Sequence, residues 1–191
     1  MAMAALPRRE SWTAADWEAF EPPADGYRYE LLDGSLLVTP SPSPVHQSAV
    51  LCVRDVLEAA LRLHGGGRVL VAPMDLPLAD DTVLQPDVLV LFPRPASAWN
   101  VKPRAHEVAL VVEVMSPSTR RLDRETKRRR YLEGGLAEIW VVDTTARHVE
   151  RWVGDAPATV HATTLPWGPP GSAEVVEIDL VTLFARAWGE C

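Results

Sequence analysis

The nine residues from Glu107 to Met115, "EVALVVEVM", constrain this chain more than any other stretch. After Glu107 every residue except Glu113 is apolar, and valine dominates. A run of this kind reads as a strand buried on both faces, at the centre of a sheet. Strand side chains alternate between faces, so Glu113 points where Val111 and Met115 point. A buried carboxylate without a partner is too unfavourable to arise from packing alone. Glu113 is therefore paired, protonated or bound to a metal. A buried ion pair, for instance with an arginine, is the structural alternative to a functional site.

The neighbouring elements follow from periodicity and punctuation. Residues 13–20 predict a short helix capped by Thr13, with Trp17 and Phe20 on one face. Two strand-like runs flank Asp33-Gly34 in "YRYELLDGSLLVTP", a tight hairpin. The clearest helix starts at Ser43-Pro44, shows Val50, Val53, Leu57 and Leu61 on one stripe, and ends at Gly65 to Gly67. Strands are expected in "RVLVAPMDLPL" and "PDVLVLF", followed by a loop and then the central strand. "SPST" is capping chemistry for a helix from about Thr119 to Glu133, closed by Gly134-Gly135. "AEIWVVD" and "HVERWV" pair across a turn at Thr144 to Arg147. Beyond Val153 the pattern weakens to an edge strand in "EVVEIDL" and a short final helix. This order predicts a mixed α/β sheet with helices on both faces. No glycine-rich phosphate loop is present, because "LHGGGR" ends a helix instead of following a strand.

The 191 residues suit a single domain over 12–191, with a tail at 1–11, a core at about 27–153 and a C-terminal extension at 154–191. No apolar run approaches the roughly 20 residues that cross a bilayer, and the first ten residues lack a signal-peptide core. The expected location is cytoplasmic, without membrane association. Cys52, inside a helical pattern, and Cys191, at the end, suggest neither a disulfide framework nor a zinc site. The net charge of −7 argues against a wholly basic nucleic-acid binder, yet residues 120–130 hold seven basic side chains against Asp123 and Glu125, a local +5. That stretch reads equally as a solvated helix face or as a phosphate-facing stripe.

Asp87 is the second anchor. It opens the strand "PDVLVLF" behind Pro86, which is tolerated at a strand's first residue. An Asp that bonds a local backbone amide is the plain reading. If its strand lies beside that of Glu113, the two carboxylates meet at one end of the sheet. A hard divalent cation then relieves their repulsion. Mg²⁺ commonly takes one or two carboxylates and keeps other positions for water and phosphate.

These residues carry a resemblance. "PDVLVL", "LVVEVMSPSTRRLDRETKRRRYLEGGLAEIWVVD" and the upstream "YRYELLDGSLLVTPSPSPVHQ" together resemble the Uma-two family of restriction-endonuclease-like proteins, within the PD-(D/E)XK nuclease superfamily. The likeness spans about residues 12–153. It implies an αβββαβ restriction-endonuclease-like core, here with an N-terminal hairpin and extra C-terminal strands. It also implies hydrolysis of a DNA phosphodiester with Mg²⁺ or Mn²⁺. Asp87, Glu113 and the Val114 backbone carbonyl would hold the metal, and Glu30 would be a third acid. The superfamily's usual lysine, two residues after the Glu, is here Met115. The family pattern shifts the lysine to the next helix, at Lys127. Asp123, Lys127 and Tyr131 lie four residues apart and share one helix face. His46, at a helix N-terminus, is a candidate accessory group with the weaker Gln47 beside it. Arg120, Arg121, Arg124 and Arg128 would hold phosphates of double-stranded DNA, and a homodimer would suit double-strand cleavage. Three other readings stand beside this one. They are a catalytically inactive DNA-binding or dimerisation module on the same fold, a structural protein, and a hydrolase of small phosphoesters.

Overall fold

The structure, a computed structural model, describes residues 10–64, 66–116 and 121–190. Its centre is a six-stranded sheet in the order β10-β9-β8-β7-β6-β3. These strands are β3 (Arg68–Val71), β6 (Val88–Leu91), β7 (Val108–Val114), β8 (Glu138–Asp143), β9 (His148–Val153) and β10 (Thr159–His161). The central position expected for "EVALVVEVM" is where β7 lies. All its pairings are antiparallel except that with β8, which it meets in parallel. A parallel neighbour needs a crossover, and the chain uses the helix between residues 121 and 133 for it.

A second sheet, ordered β2-β1-β5-β4, is built from the hairpin β1 (Arg28–Leu32) and β2 (Ser35–Thr39) with β4 (Leu76–Ala79) and β5 (Thr82–Leu84). The expected Asp33-Gly34 turn is present, with both residues at positive φ (51° and 71°). That conformation is what a two-residue hairpin requires. "RVLVAPMDLPL" does not form one strand. Its first half stays in the large sheet as β3, and its second half leaves for the small sheet as β4. Pro73 lies in the break between them. The three-residue β5 was not expected, because it carries too little pattern to stand out.

One face of the large sheet is covered by α2 (Pro44–His64) and α4 (Leu180–Ala187). Helix α2 begins as predicted, with the Ser43 hydroxyl accepting from His46 N at 3.3 Å. At its far end Gly67 sits at φ 111°, and a Cβ there would meet the Leu91 carbonyl at 2.0 Å. Only glycine fits that return into β3. The opposite face holds Val111, Leu89 and Ile139 against Tyr131 and the small sheet. Helix α1 (Ala14–Glu18) closes the outer side of the small sheet with Trp12, Trp17, Tyr29 and Leu31. It is shorter than predicted but carries the Thr13 cap, reinforced by Asp16 in a reciprocal capping box.

The C-terminal segment belongs to the main core. Leu165 and Trp167 of β11 (Thr164–Trp167), Ile178 of β12 (Val176–Asp179), and Leu183 and Phe184 of α4 are buried with α2 and the large sheet. Cys52 is buried in α2 and forms no disulfide among the described residues; Cys191 lies outside the described residues. Among the described residues no helix is long and apolar enough to cross a membrane.

Candidate active site

Strand alternation delivers the site. In β1, Tyr29 and Leu31 face α1, so Arg28 and Glu30 face the large sheet and line a cavity of about 210 Å³. Asp87 stands one step beyond the Val88–Val112 pair of β6 and β7, in register with Glu113. Both carboxylates line that cavity, together with His46, Val114, Asp123 and Lys127. Asp87 and Glu113, expected from adjacent strands at one end of the sheet, both line this cavity. Asp87 itself precedes the strand that it was expected to open.

Asp87 is held on three sides. Its Oδ2 accepts from Val114 N at 2.8 Å and faces His46 Nε2 at 3.2 Å, while Arg28 Nη1 lies 2.8 Å from Oδ1. Burial would raise its pKa. The His46 contact, the Arg28 charge and the Val114 amide outweigh burial and hold it at about 2. Asp87 is therefore ionised throughout the working range.

Glu113 meets Lys127 and Tyr131. The Lys127 ammonium lies 3.2 Å from Glu113 Oε1, and the Tyr131 hydroxyl donates to the same oxygen at 2.5 Å. Lys127 also donates to Glu30 Oε1 at 3.0 Å, is ion-paired with Glu30 Oε2 at 2.9 Å, and lies 4.0 Å from Asp123. All these side chains are buried. Burial disfavours the ammonium, yet Glu113, Glu30 and Asp123 more than offset it, and the Lys127 pKa rises. Tyr131 is likewise pushed well above its usual pKa, first by burial, so it remains a donor.

The helix that carries Lys127 departs from expectation. Residues Leu122–Lys127 form a π-helical segment, and the regular helix α3 covers only Arg128–Glu133. Such wide turns recur at functional sites. Even so, Asp123, Lys127 and Tyr131 converge on Glu113 and its partners. Glu30, expected as a third acid, holds Lys127 in place.

Two contributors escaped the sequence reading. Arg28 lies two residues before Glu30 on the same strand, so strand alternation alone could have placed it there. Gln85 had no such signal. Its backbone N–H donates to Glu30 Oε1 at 2.8 Å, and its carbonyl accepts from Arg28 at 3.3 Å. Its side chain is anchored by Asp75 at 2.8 Å, and Asp75 also accepts from Trp17 and Lys102.

Among the described residues, the arginines of the basic stripe do not line the cavity, whereas Lys127 does. Arg121 pairs with Glu125 at 2.9 Å. Arg124 bonds Glu150 and lies 3.8 Å from Asp143. The Arg128 guanidinium sits 3.7 Å from the Trp152 ring centre. Arg120 lies outside the described residues.

The family model described as "Uma2: Putative restriction endonuclease" matches residues 15–174, most of the chain and every site residue above. The chain belongs to the Uma2 family. A solved structure described as "a putative nuclease belonging to DUF820", from Anabaena variabilis ATCC 29413, superposes with a TM-score of 0.71 at 16% identity, covering 92% of this chain and 98% of that one. It shares the fold. No curated protein matches the chain. The Uma2 match stops short of α4, although α4 completes the core beneath α2.

Four buried acids in this Uma2 chain, Glu30, Asp87, Glu113 and Asp123, face the Arg28 and Lys127 cations, so negative charge is in excess at the cavity. Glu113 registers that excess. Burial first, then Asp87, Asp123 and Glu30, outweigh Lys127 and push its pKa up to about 8. The set fits a hard divalent cation on two carboxylates, with Val114 at the wall. Among the described residues no group of three or more His, Cys, Asp or Glu side chains is arranged to hold a metal ion.

A pH dependence follows. The Glu113 pKa is raised on folding, so its contribution to stability is complete below about 4.5 and is lost as pH rises through about 8. That of Asp87 is lowered, so its contribution is present above about 3.8 and is lost as pH falls through about 2. The prediction is that, in a chelator, thermal stability declines between pH 5 and 8, and that Mn²⁺ raises Tm more at pH 8 than at pH 5.5, where the proton competes. Equal Mn²⁺ shifts at both pH values would count against this.

Proposed function

We propose that this protein is a divalent-metal-dependent nuclease that hydrolyses DNA phosphodiester bonds, on a PD-(D/E)XK-type site with a displaced lysine. One observation carries the reading. A carboxylate from the central strand and a buried ammonium from the following helix meet at 3.2 Å on the wall of the cavity that Asp87 also lines. A scaffold has little reason to bury so many charges at one point, whereas hydrolysis of a phosphodiester uses each of them.

Asp87 and Glu113 would hold Mg²⁺ or Mn²⁺, with the Val114 carbonyl a further candidate ligand. The cation would supply Lewis-acid stabilisation of charge on the scissile phosphate and acidify the attacking water. The protein's own groups do the rest. Tyr131 fixes the rotation of the Glu113 carboxyl through Oε1. Arg28, His46 and the Val114 amide fix Asp87. Lys127, locked by Glu30 and Asp123, offers a permanent positive charge to orient the attacking water and to offset the charge that grows on the phosphate. It does from the helix what a lysine at position 115 would do from the strand. Met115 is buried and carries no charge. Exposed Arg121 and its basic neighbours would engage phosphates away from the cut, which orients a duplex without reading its sequence.

The test is nicking of supercoiled plasmid by the purified protein. Nicked circles are expected with Mg²⁺ or Mn²⁺, and none in chelator. No nicking with either ion, or nicking indifferent to chelator, would contradict the proposal.

A further inference from the structure

A second cavity, of about 400 Å³, opens beside the first and shares Arg28, His46 and Asp87 with it. Its volume lies within the roughly 300–1,000 Å³ typical of sites for small organic groups. The wall away from the carboxylates is of different character. It is formed by Tyr27, Leu51, Val71 and Pro73, with Gln47 from the exposed side of α2. Three of these, Tyr27, Leu51 and Val71, are large apolar side chains left exposed. Single exposed apolar residues need no explanation, but three around one concavity do. Nothing in the hydrolytic machinery uses them.

The arrangement is that of a nucleotide. The shared wall carries a guanidinium and an imidazole, suited to a phosphate next to the carboxylates. One step away lie an aromatic ring, apolar walls and a glutamine amide, suited to a flat heteroaromatic ring with polar edges. A paired base inside a duplex cannot reach such a recess. A base in a single strand, or one turned out of the stack, can. We propose that this cavity is a nucleobase subsite, which takes the base of a nucleotide flanking the scissile phosphate against Tyr27. This rests on the nuclease reading above and narrows its substrate to DNA with an unpaired nucleotide at the cut.

An abasic scan tests this. Single-stranded oligonucleotides, each with one abasic position, are titrated with the full-length protein in Ca²⁺ by fluorescence anisotropy, and their cleavage in Mn²⁺ is measured in parallel. The expected result is one abasic position, beside the cut, that weakens binding about tenfold. In Tyr27→Ala and in Leu51→Trp, which fills the recess, the intact strand loses about the same factor and the abasic penalty disappears. A flat scan, or a penalty unchanged in both variants, overturns the subsite. A scan that shows the binding penalty without cleavage in Mn²⁺ supports the subsite while removing the hydrolytic reading, so the two failures are distinct.

Discussion

Lys127→Met is expected to lower metal-dependent DNA cleavage by about 10²–10³-fold, the usual loss when one preorganised donor to a developing charge is removed. It also leaves Glu30, Glu113 and Asp123 buried together without their shared cation. Breaking a buried ion pair from one side destabilises by about 3–5 kcal/mol. Here the loss is pH-dependent, because Glu113 already takes up a proton near pH 8 and does so more readily without Lys127. The variant should therefore unfold at markedly lower denaturant concentration than the wild type at pH 8, with the gap narrowing at pH 5.5. Lys127→Arg keeps the charge but not the compact ammonium that fits between two carboxylates. Activity retained in Lys127→Met, with the fold intact by circular dichroism, would remove the lysine from the mechanism.

Glu113→Gln is expected to have the opposite effect on stability and a larger one on activity. The amide keeps the shape of the side chain but removes a charge that burial and three nearby acids disfavour. In chelator at pH 8 its Tm should equal or exceed that of the wild type, because the strain of the site is relieved. Cleavage should fall by about 10³-fold or more, since a catalytic cation contributes several kcal/mol of transition-state stabilisation and each 1.36 kcal/mol is tenfold. A purely structural ion pair predicts the reverse, a lower Tm with no loss of function, because Lys127 would then lose a needed partner. Measuring both quantities on one preparation separates the two.

How much of this was legible in the sequence depends on how local the signal is. The hairpin at Asp33-Gly34, the Ser43-Pro44 helix start and the apolar run of β7 are each written in consecutive residues, and each appears as expected. Glu113 was visible because a single charge stands out in an apolar strand. Asp87 and Lys127 needed the family pattern as well, since an Asp at a strand entry and an i,i+4 pair on a helix are commonplace. What stayed hidden is contact between distant segments. Arg28 reaches Asp87 across 59 positions, and Gln85 acts on Glu30 through its backbone amide, which no residue type advertises. The split of "RVLVAPMDLPL" between two sheets follows from which partner each half finds. The wide turn at Leu122–Lys127 precedes Tyr131 and ends on Lys127, and the contacts of both with Glu113 are long-range in the same way.

The most direct test of the account is calorimetric titration of Mn²⁺ into the wild type, Asp87→Asn and Glu113→Gln at pH 7.5. Two carboxylates meeting at one cation predict saturable binding to the wild type, with proton release seen as a buffer-dependent heat, and loss of that binding in both variants. Wild-type protein that takes up no Mn²⁺, or variants that bind it as well as the wild type does, would contradict the claim.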